Sequence, residues 1–150
     1  MQMIHVTWKR IERLVENLAR AVRASGFKPQ CIVGITVGGV FPMALIAKEF
    51  NTKEVAVISA RSYSRKRQGK LRVTALPNID LRGKRVLLID EIADRGTTLQ
   101  YISKILVRQY KVKELKTATL VVNKKNCKHW PDFHVMEVDT WVVFPWDERS

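Results

Sequence analysis

"VLLIDEIADRGTTLQ", residues 86 to 100, runs from four large aliphatic residues into two acids, a polar turn and the start of a second apolar pattern. Val86 to Ile89 show no alternation, which fits a strand buried on both faces and therefore a parallel sheet. Leu99, Ile102, Ile105 and Leu106 then recur at helical spacing. Between strand and helix stand Asp90, Glu91 and Asp94, beside Arg95, Gly96, Thr97 and Thr98. A plain turn needs none of these acids, and like charges so close repel. In open α/β sheets, ligands sit outside the carboxyl ends of the strands. There the first N–H groups of a helix, with two threonine hydroxyls, form a cradle for phosphate. Neighbouring carboxylates accept hydrogen bonds from a vicinal diol or hold a divalent cation. Acids for hydroxyls and N–H groups for phosphate, side by side, describe a ribose 5-phosphate site.

Outward from this stretch, strands alternate with helices. Trp8, Ile11, Leu14, Val15, Leu18, Ala19 and Val22 fall on one helical face, with Thr7 as N-cap and Gly26 as terminator. "CIVGIT" (31–36), "EVAVISA" (54–60), "KRVLLID" (84–90) and "KTATLVV" (116–122) read as strands. "VFPMALIAKEF" (40–50) reads as a helix with Pro42 in its first turn. "RSYSRKRQGKLR" (61–72) reads as a basic loop, and "DFHVMEV" (132–138) and "TWVVFPW" (140–146) as short strands around turns. The order implies an α/β fold, a mainly parallel sheet flanked by helices. No repeat or linker divides residues 1–150, so one domain is expected.

Composition narrows the setting. With 46% apolar and 27% charged residues the chain falls among ordinary globular proteins, and 150 residues suffice for a real core. Two cysteines are too few for a disulfide framework, so a reducing, cytoplasmic setting is expected. "MQMIHVTWKRIERL" mixes charges into an amphipathic pattern unlike a secretory signal. Pro29 to Ala47 lacks charge and approaches the ~20 residues of a membrane span. Gly34, Gly38, Gly39 and Pro42 break it into strand, turn and helix, so no transmembrane segment is expected. The formal charge of +13 favours polyanions. Its residues are spread along the chain, as on a solvated surface, so nucleic-acid binding is possible but not favoured.

"VLLIDEIADRGTTL" resembles the phosphoribosyl pyrophosphate motif of type I phosphoribosyltransferases. Three further segments are similar to that family. "GITVGG" (34–39) resembles its pyrophosphate loop, here Thr36, Val37, Gly38 and Gly39. Ser62 and Tyr63, opening the basic loop, resemble its mobile lid. "TWVVFPWDE" (140–148) resembles the C-terminal hood of the xanthine-guanine and hypoxanthine branch, which would span about 123–150. The resemblance implies transfer of a 5-phosphoribosyl group from phosphoribosyl pyrophosphate to a 6-oxopurine base, with Mg2+, in a homo-oligomer. It further implies that Asp90 and Glu91 hold the ribose hydroxyls and position magnesium, and that Asp94 through Thr98 wrap the 5′-phosphate. Asp94 would also face N7 of the purine as proton acceptor or electrostatic partner. Lys124 would recognise the exocyclic oxygen, Trp141 would stack on the base, and the Val142 backbone would read position 2. Asp147 would touch a second magnesium, and Arg65, Lys66 or Arg67 would assist the leaving group. A cis peptide at Thr36–Val37 is implied as well.

Four departures stand out. Val37 replaces a basic residue of the pyrophosphate loop, and Glu91 an aspartate. Arg95 and Thr97 stand where threonine and glycine are usual, and Lys125 where proline is common, leaving either lysine to face the base. The main rival is a regulatory protein that senses phosphoribosyl pyrophosphate and binds nucleic acid; Val37 and the charge favour it, the purine-clamping hood opposes it. Cys127, His129, Asp132 and His134 lack the spacing of a structural zinc site. Thr36 and Ser62 have no evident base partner, so nucleophilic catalysis is unsupported.

Overall fold

The structure, a computed structural model, describes residues 2–62, 71–75 and 77–148. In chain order its elements are β1 (Ile4–His5), α1 (Trp8–Ala24), β2 (Cys31–Ile35), α2 (Val40–Glu49), β3 (Val55–Ser62) and β4 (Leu71–Ala75). β5 (Arg85–Ala93), α3 (Thr97–Arg108), β6 (Glu114–Asn123), β7 (Met136–Val138) and β8 (Val142–Val143) follow. The main sheet has the order β4-β3-β2-β5-β6-β7, parallel except for the β3–β4 pair. Its centre is the β2–β5 pair, with Val33 opposite Leu88.

The two-residue period of a strand sends alternate side chains to opposite faces. Ile32, Leu87, Ile89 and Leu120 join the core beneath α1 and α2, whereas Val33, Ile35, Val86 and Leu88 join the core beneath α3. α1 delivers Ile11, Leu14, Val15, Leu18, Ala19 and Val22 to the first core, as its spacing predicts. Its Thr7 cap is present, with Arg10 N–H donating to Thr7 Oγ1 at 3.1 Å. Leu18 is fully buried, so truncating it to alanine costs about 2–5 kcal/mol. α3 buries Leu99, Ile102 and Leu106 on the opposite face. Helices therefore cover both faces, and the parallel sheet stays dry.

Two expectations need correction. Trp8 is not a core residue: it lies 54% exposed at the end of α1, against Phe41 and Trp146. The basic stretch is not wholly loop, because β3 runs to Ser62 and β4 begins at Leu71 as its antiparallel partner. Cross-strand pairing overrides the low strand propensity of these arginine-rich ends. Ile4–His5, assigned no element from the sequence, is a strand paired in parallel with β8. Among the described residues no helix is long and apolar enough to cross a membrane.

Candidate functional site

The carboxyl end of β5 places its two acids by the same parity. Asp90 continues the α3 face of Val86 and Leu88, while Glu91 continues the face of Leu87 and Ile89. Asp90 opens onto a cleft of about 830 Å³ together with Asp94, Arg95, Gly96, Thr97 and Thr98. Its Oδ1 folds forward to accept the Glu91 N–H at 2.8 Å. Glu91 instead lies over the 36–39 turn: a Cβ on Gly38 would fall 1.2 Å from Glu91 Oε2. The two acids therefore border the cleft and the 36–39 turn respectively, with their carboxyls in contact between the two. Burial, then the Glu91 charge, pushes the Asp90 pKa well above the ordinary carboxylate value. Burial raises Glu91 too, and Asp147 adds to that, while contact with Asp90 and the Trp146 indole holds it down. Among the described residues the buried Trp146 N–H has no partner in hydrogen-bond geometry, so its hold on Glu91 is an attraction through space rather than a formed bond.

The turn after β5 forms the floor of the cleft. Gly96 precedes α3 at φ +81°, a left-handed conformation that disfavours side chains. A Cβ there would also strike the His129 carbonyl oxygen, 2.1 Å away. Among the described residues no side chain caps α3, which leaves the amides of its first turn for a ligand, and no acid in that turn repels an anion. The opposite wall comes from the loop after β6. Lys125, Asn126, Lys128 and His129 line it, adding cations beside Arg95. Sequence reasoning missed Asn126, Lys128 and His129. The available signal was their place just beyond the carboxyl end of β6, the strand paired with β5.

The Thr36–Val37 peptide is cis. Thr36 binds the Ser59 hydroxyl, Gly39 N–H donates to Ile35 O at 2.9 Å, and Val37 stands 76% exposed. Above this turn Phe41, Trp146 and Phe144 stack, with ring centroids 4.7 and 4.8 Å apart and planes within 5°. The stack ties the start of α2 to the carboxyl-terminal segment.

That segment carries the remaining candidates. Trp141 is 63% exposed, whereas Val142 is buried. The Trp141 and Val143 carbonyls accept from Ile4 and Val6, each at 2.9 Å. Val142, between them, therefore turns its own N–H and C=O away from β1. Asp147 is exposed, and its Oδ2 accepts the Phe144 N–H at 3.2 Å. Lys124 and Lys125 are both exposed, and only Lys125 borders the cleft. Ser62 ends β3; Tyr63 and the loop cations Arg65, Lys66 and Arg67 lie outside the described residues. Cys127 Sγ–H donates to His129 O, Asp132 accepts from Thr117 N–H, and His134 pairs with Glu137.

Comparison with known proteins supplies the wider context. The family model described as "Phosphoribosyl transferase domain" matches residues 6–150. A xanthine-guanine phosphoribosyltransferase of Chromohalobacter salexigens is 34% identical over 148 residues, covering 97% of this chain and 85% of that protein. One from Cereibacter sphaeroides is 31% identical, covering 95% and 86%. The crystal structure of a purine phosphoribosyltransferase from Pyrococcus horikoshii superimposes with a TM-score of 0.88 at 31% identity, covering all of this chain and 97% of that one.

Proposed function

The chain belongs to the phosphoribosyl transferase family, and we propose that it transfers the 5-phosphoribosyl group of phosphoribosyl pyrophosphate to guanine, hypoxanthine or xanthine. The observation that carries this reading is the cleft itself, where the Asp90 carboxyl faces the uncapped first turn of α3 across Asp94–Thr98. The relatives named as xanthine-guanine phosphoribosyltransferases support the oxopurine acceptor. In this reading residues 123–150 form a hood over the base, the site works in the cytoplasm for purine salvage, and the exposed Trp8 and Leu45 serve contacts between copies.

Each part has a physical task. The Thr97 and Thr98 hydroxyls and the amides of the first α3 turn hold the 5′-phosphate, with Arg95 and Lys128 adding charge. Asp90 accepts from the ribose hydroxyls. Purine N9 attacks the anomeric carbon as its bond to pyrophosphate breaks, and the proton carried on N7 passes to Asp94. Lys124 or Lys125 donates to the 6-oxo group; an amino group there would face a second donor, which disfavours adenine. Trp141 covers one face of the base, and the Val142 backbone meets its position-2 substituent. Ser62 and Tyr63 begin the lid that excludes water.

Magnesium fits the acids present. Burial makes Asp90 and Glu91 poor solitary anions, the Glu91 charge disfavours ionised Asp90 further, and among the described residues neither they nor Asp147 form an ion pair. No three such side chains converge among the described residues. That suits Mg2+, which takes one or two carboxylates and completes its shell with water and substrate phosphates. Asp90 and Glu91 would hold it, with Asp147 at a second ion. Held by these residues, the ion would supply positive charge for the departing pyrophosphate. The 36–39 turn, without a basic side chain at Val37, contributes backbone N–H groups alone.

The test is steady-state turnover with phosphoribosyl pyrophosphate, Mg2+ and each of guanine, hypoxanthine, xanthine and adenine. Nucleotide formation from the oxopurines and not from adenine is expected. Turnover of adenine alone, or of none, would overturn the reading.

A further inference from the structure

The loop after β6 leans over the Asp94–Gly96 turn and meets it at three points. Asn126 Nδ2 donates to Asp94 Oδ1 at 3.2 Å, Lys128 N–H donates to Arg95 O at 3.1 Å, and the His129 carbonyl presses against Gly96. A carboxylate oxygen only accepts, so the amide must present its NH2 group to Asp94. Asn126 is itself held from behind. Its backbone N–H donates to Asn123 O at 3.2 Å, that of Cys127 to the same oxygen at 2.9 Å, and Lys125 N–H to Asn123 Oδ1 at 3.1 Å. Asn123 is a buried residue at the end of β6. A braced turn therefore links the central sheet to one oxygen of the Asp94 carboxylate. Asp94 is exposed, and among the described residues it forms no ion pair. An exposed side chain without such a brace samples several rotamers.

We propose that Asn126 is a positioning residue for Asp94. By holding Oδ1 it fixes the plane of the carboxylate and leaves Oδ2 facing the cleft, where the N7 proton is delivered. The inference rests on the phosphoribosyl-transfer reading. Asn126 lines the same cleft, and its one side-chain hydrogen bond among the described residues goes to Asp94, so it acts through that carboxylate. Removing its donor therefore lowers the rate of the chemical step while leaving donor binding, carried by α3 and Asp90, almost untouched.

The experiment compares Asn126→Ala, Asn126→Asp and Asn126→Gln with the wild type in the oxopurine assay, with Tm measured for each. Asn126→Ala should lower kcat about three- to tenfold, the value of one ordinary hydrogen bond, with KM for phosphoribosyl pyrophosphate within about twofold. Asn126→Asp has nearly the same shape, lacks the donor and repels Asp94, so its kcat should fall further. Asn126→Gln keeps an N–H donor and should lie between alanine and wild type. All three should melt within about 2 °C of wild type, as expected for exposed substitutions. A wild-type kcat in Asn126→Ala, or equal kcat in the alanine and aspartate variants, overturns this inference alone. Absence of turnover in the wild type overturns the transfer reading and this inference with it.

Discussion

Replacing Gly96 with alanine tests how tightly the phosphate turn is built. Two costs add. The residue holds φ +81°, a conformation that costs an L side chain about 1–2 kcal/mol. The new Cβ would also lie 2.1 Å from the His129 carbonyl oxygen, so the two backbones must separate by about 1 Å to reach an ordinary C···O distance. That separation stretches the 3.1 Å bond from Lys128 N–H to Arg95 O, and its loss costs about 0.5–1.5 kcal/mol. Together the change should destabilise by roughly 2–3 kcal/mol, or roughly 4–12 °C in Tm for a chain of this size. Gly83→Ala is the control: it shares the left-handed backbone at φ +72° but meets no atom within 4 Å. It should therefore show only the conformational part. Calorimetry gives both Tm values, and titration with a purine 5′-monophosphate gives the Kd of each variant. Gly96→Ala should melt below Gly83→Ala and bind nucleotide at least tenfold more weakly than wild type. Equal melting of the two variants, with unchanged nucleotide affinity, would refute the claim that the 124–130 loop clamps this turn.

Two further outcomes follow from the site. Asp90 and Glu91 have folded-state pKa values raised above those of the unfolded chain. Their favourable contribution is complete below the unfolded carboxylate value of about 4 and is lost as pH rises through the folded value. Asp90→Asn should therefore raise Tm of the ligand-free protein, with a larger gain near pH 8 than near pH 5, while donor binding falls; an equal gain at both pH values would contradict the buried-charge account. Trp141→Ala removes an exposed ring that carries little packing, so Tm should hardly move. KM for the base should rise about 5- to 100-fold, the range for stacking of about 1–3 kcal/mol; an unchanged KM would remove Trp141 from the base site.

Much of this site is legible where chemistry is local in sequence. Val86 to Ile89 announce a doubly covered strand, Leu99, Ile102 and Leu106 announce the helix after it, and the turn between them carries the candidate ligand groups in consecutive residues. The opposite orientation of Asp90 and Glu91 was also readable, since it follows from a two-residue period, though pairing them by adjacency hides it. What stays hidden depends on distant contacts. Asn126 meets Asp94 across 32 residues, and nothing in "KKNCKH" distinguishes it from a solvated basic turn. β1 is two residues long and exists only because β8 offers it a partner 138 positions away. Trp8 follows the helical period of the core face yet lies outside the core, because as the first residue of α1 it packs against Phe41 and Trp146 instead. Periodicity reports a face, not how far along that face the core extends.

The most direct measurement is Asp94→Asn, comparing nucleotide binding with turnover. The substitution keeps the shape and the turn but cannot take a proton from N7. If this cleft performs phosphoribosyl transfer with Asp94 as acceptor, a purine 5′-monophosphate should bind the variant within about threefold of wild type. Turnover should fall by about 10²- to 10⁴-fold, the usual span for a positioned general base. Wild-type turnover in Asp94→Asn, or no nucleotide binding by the wild type, would contradict the account.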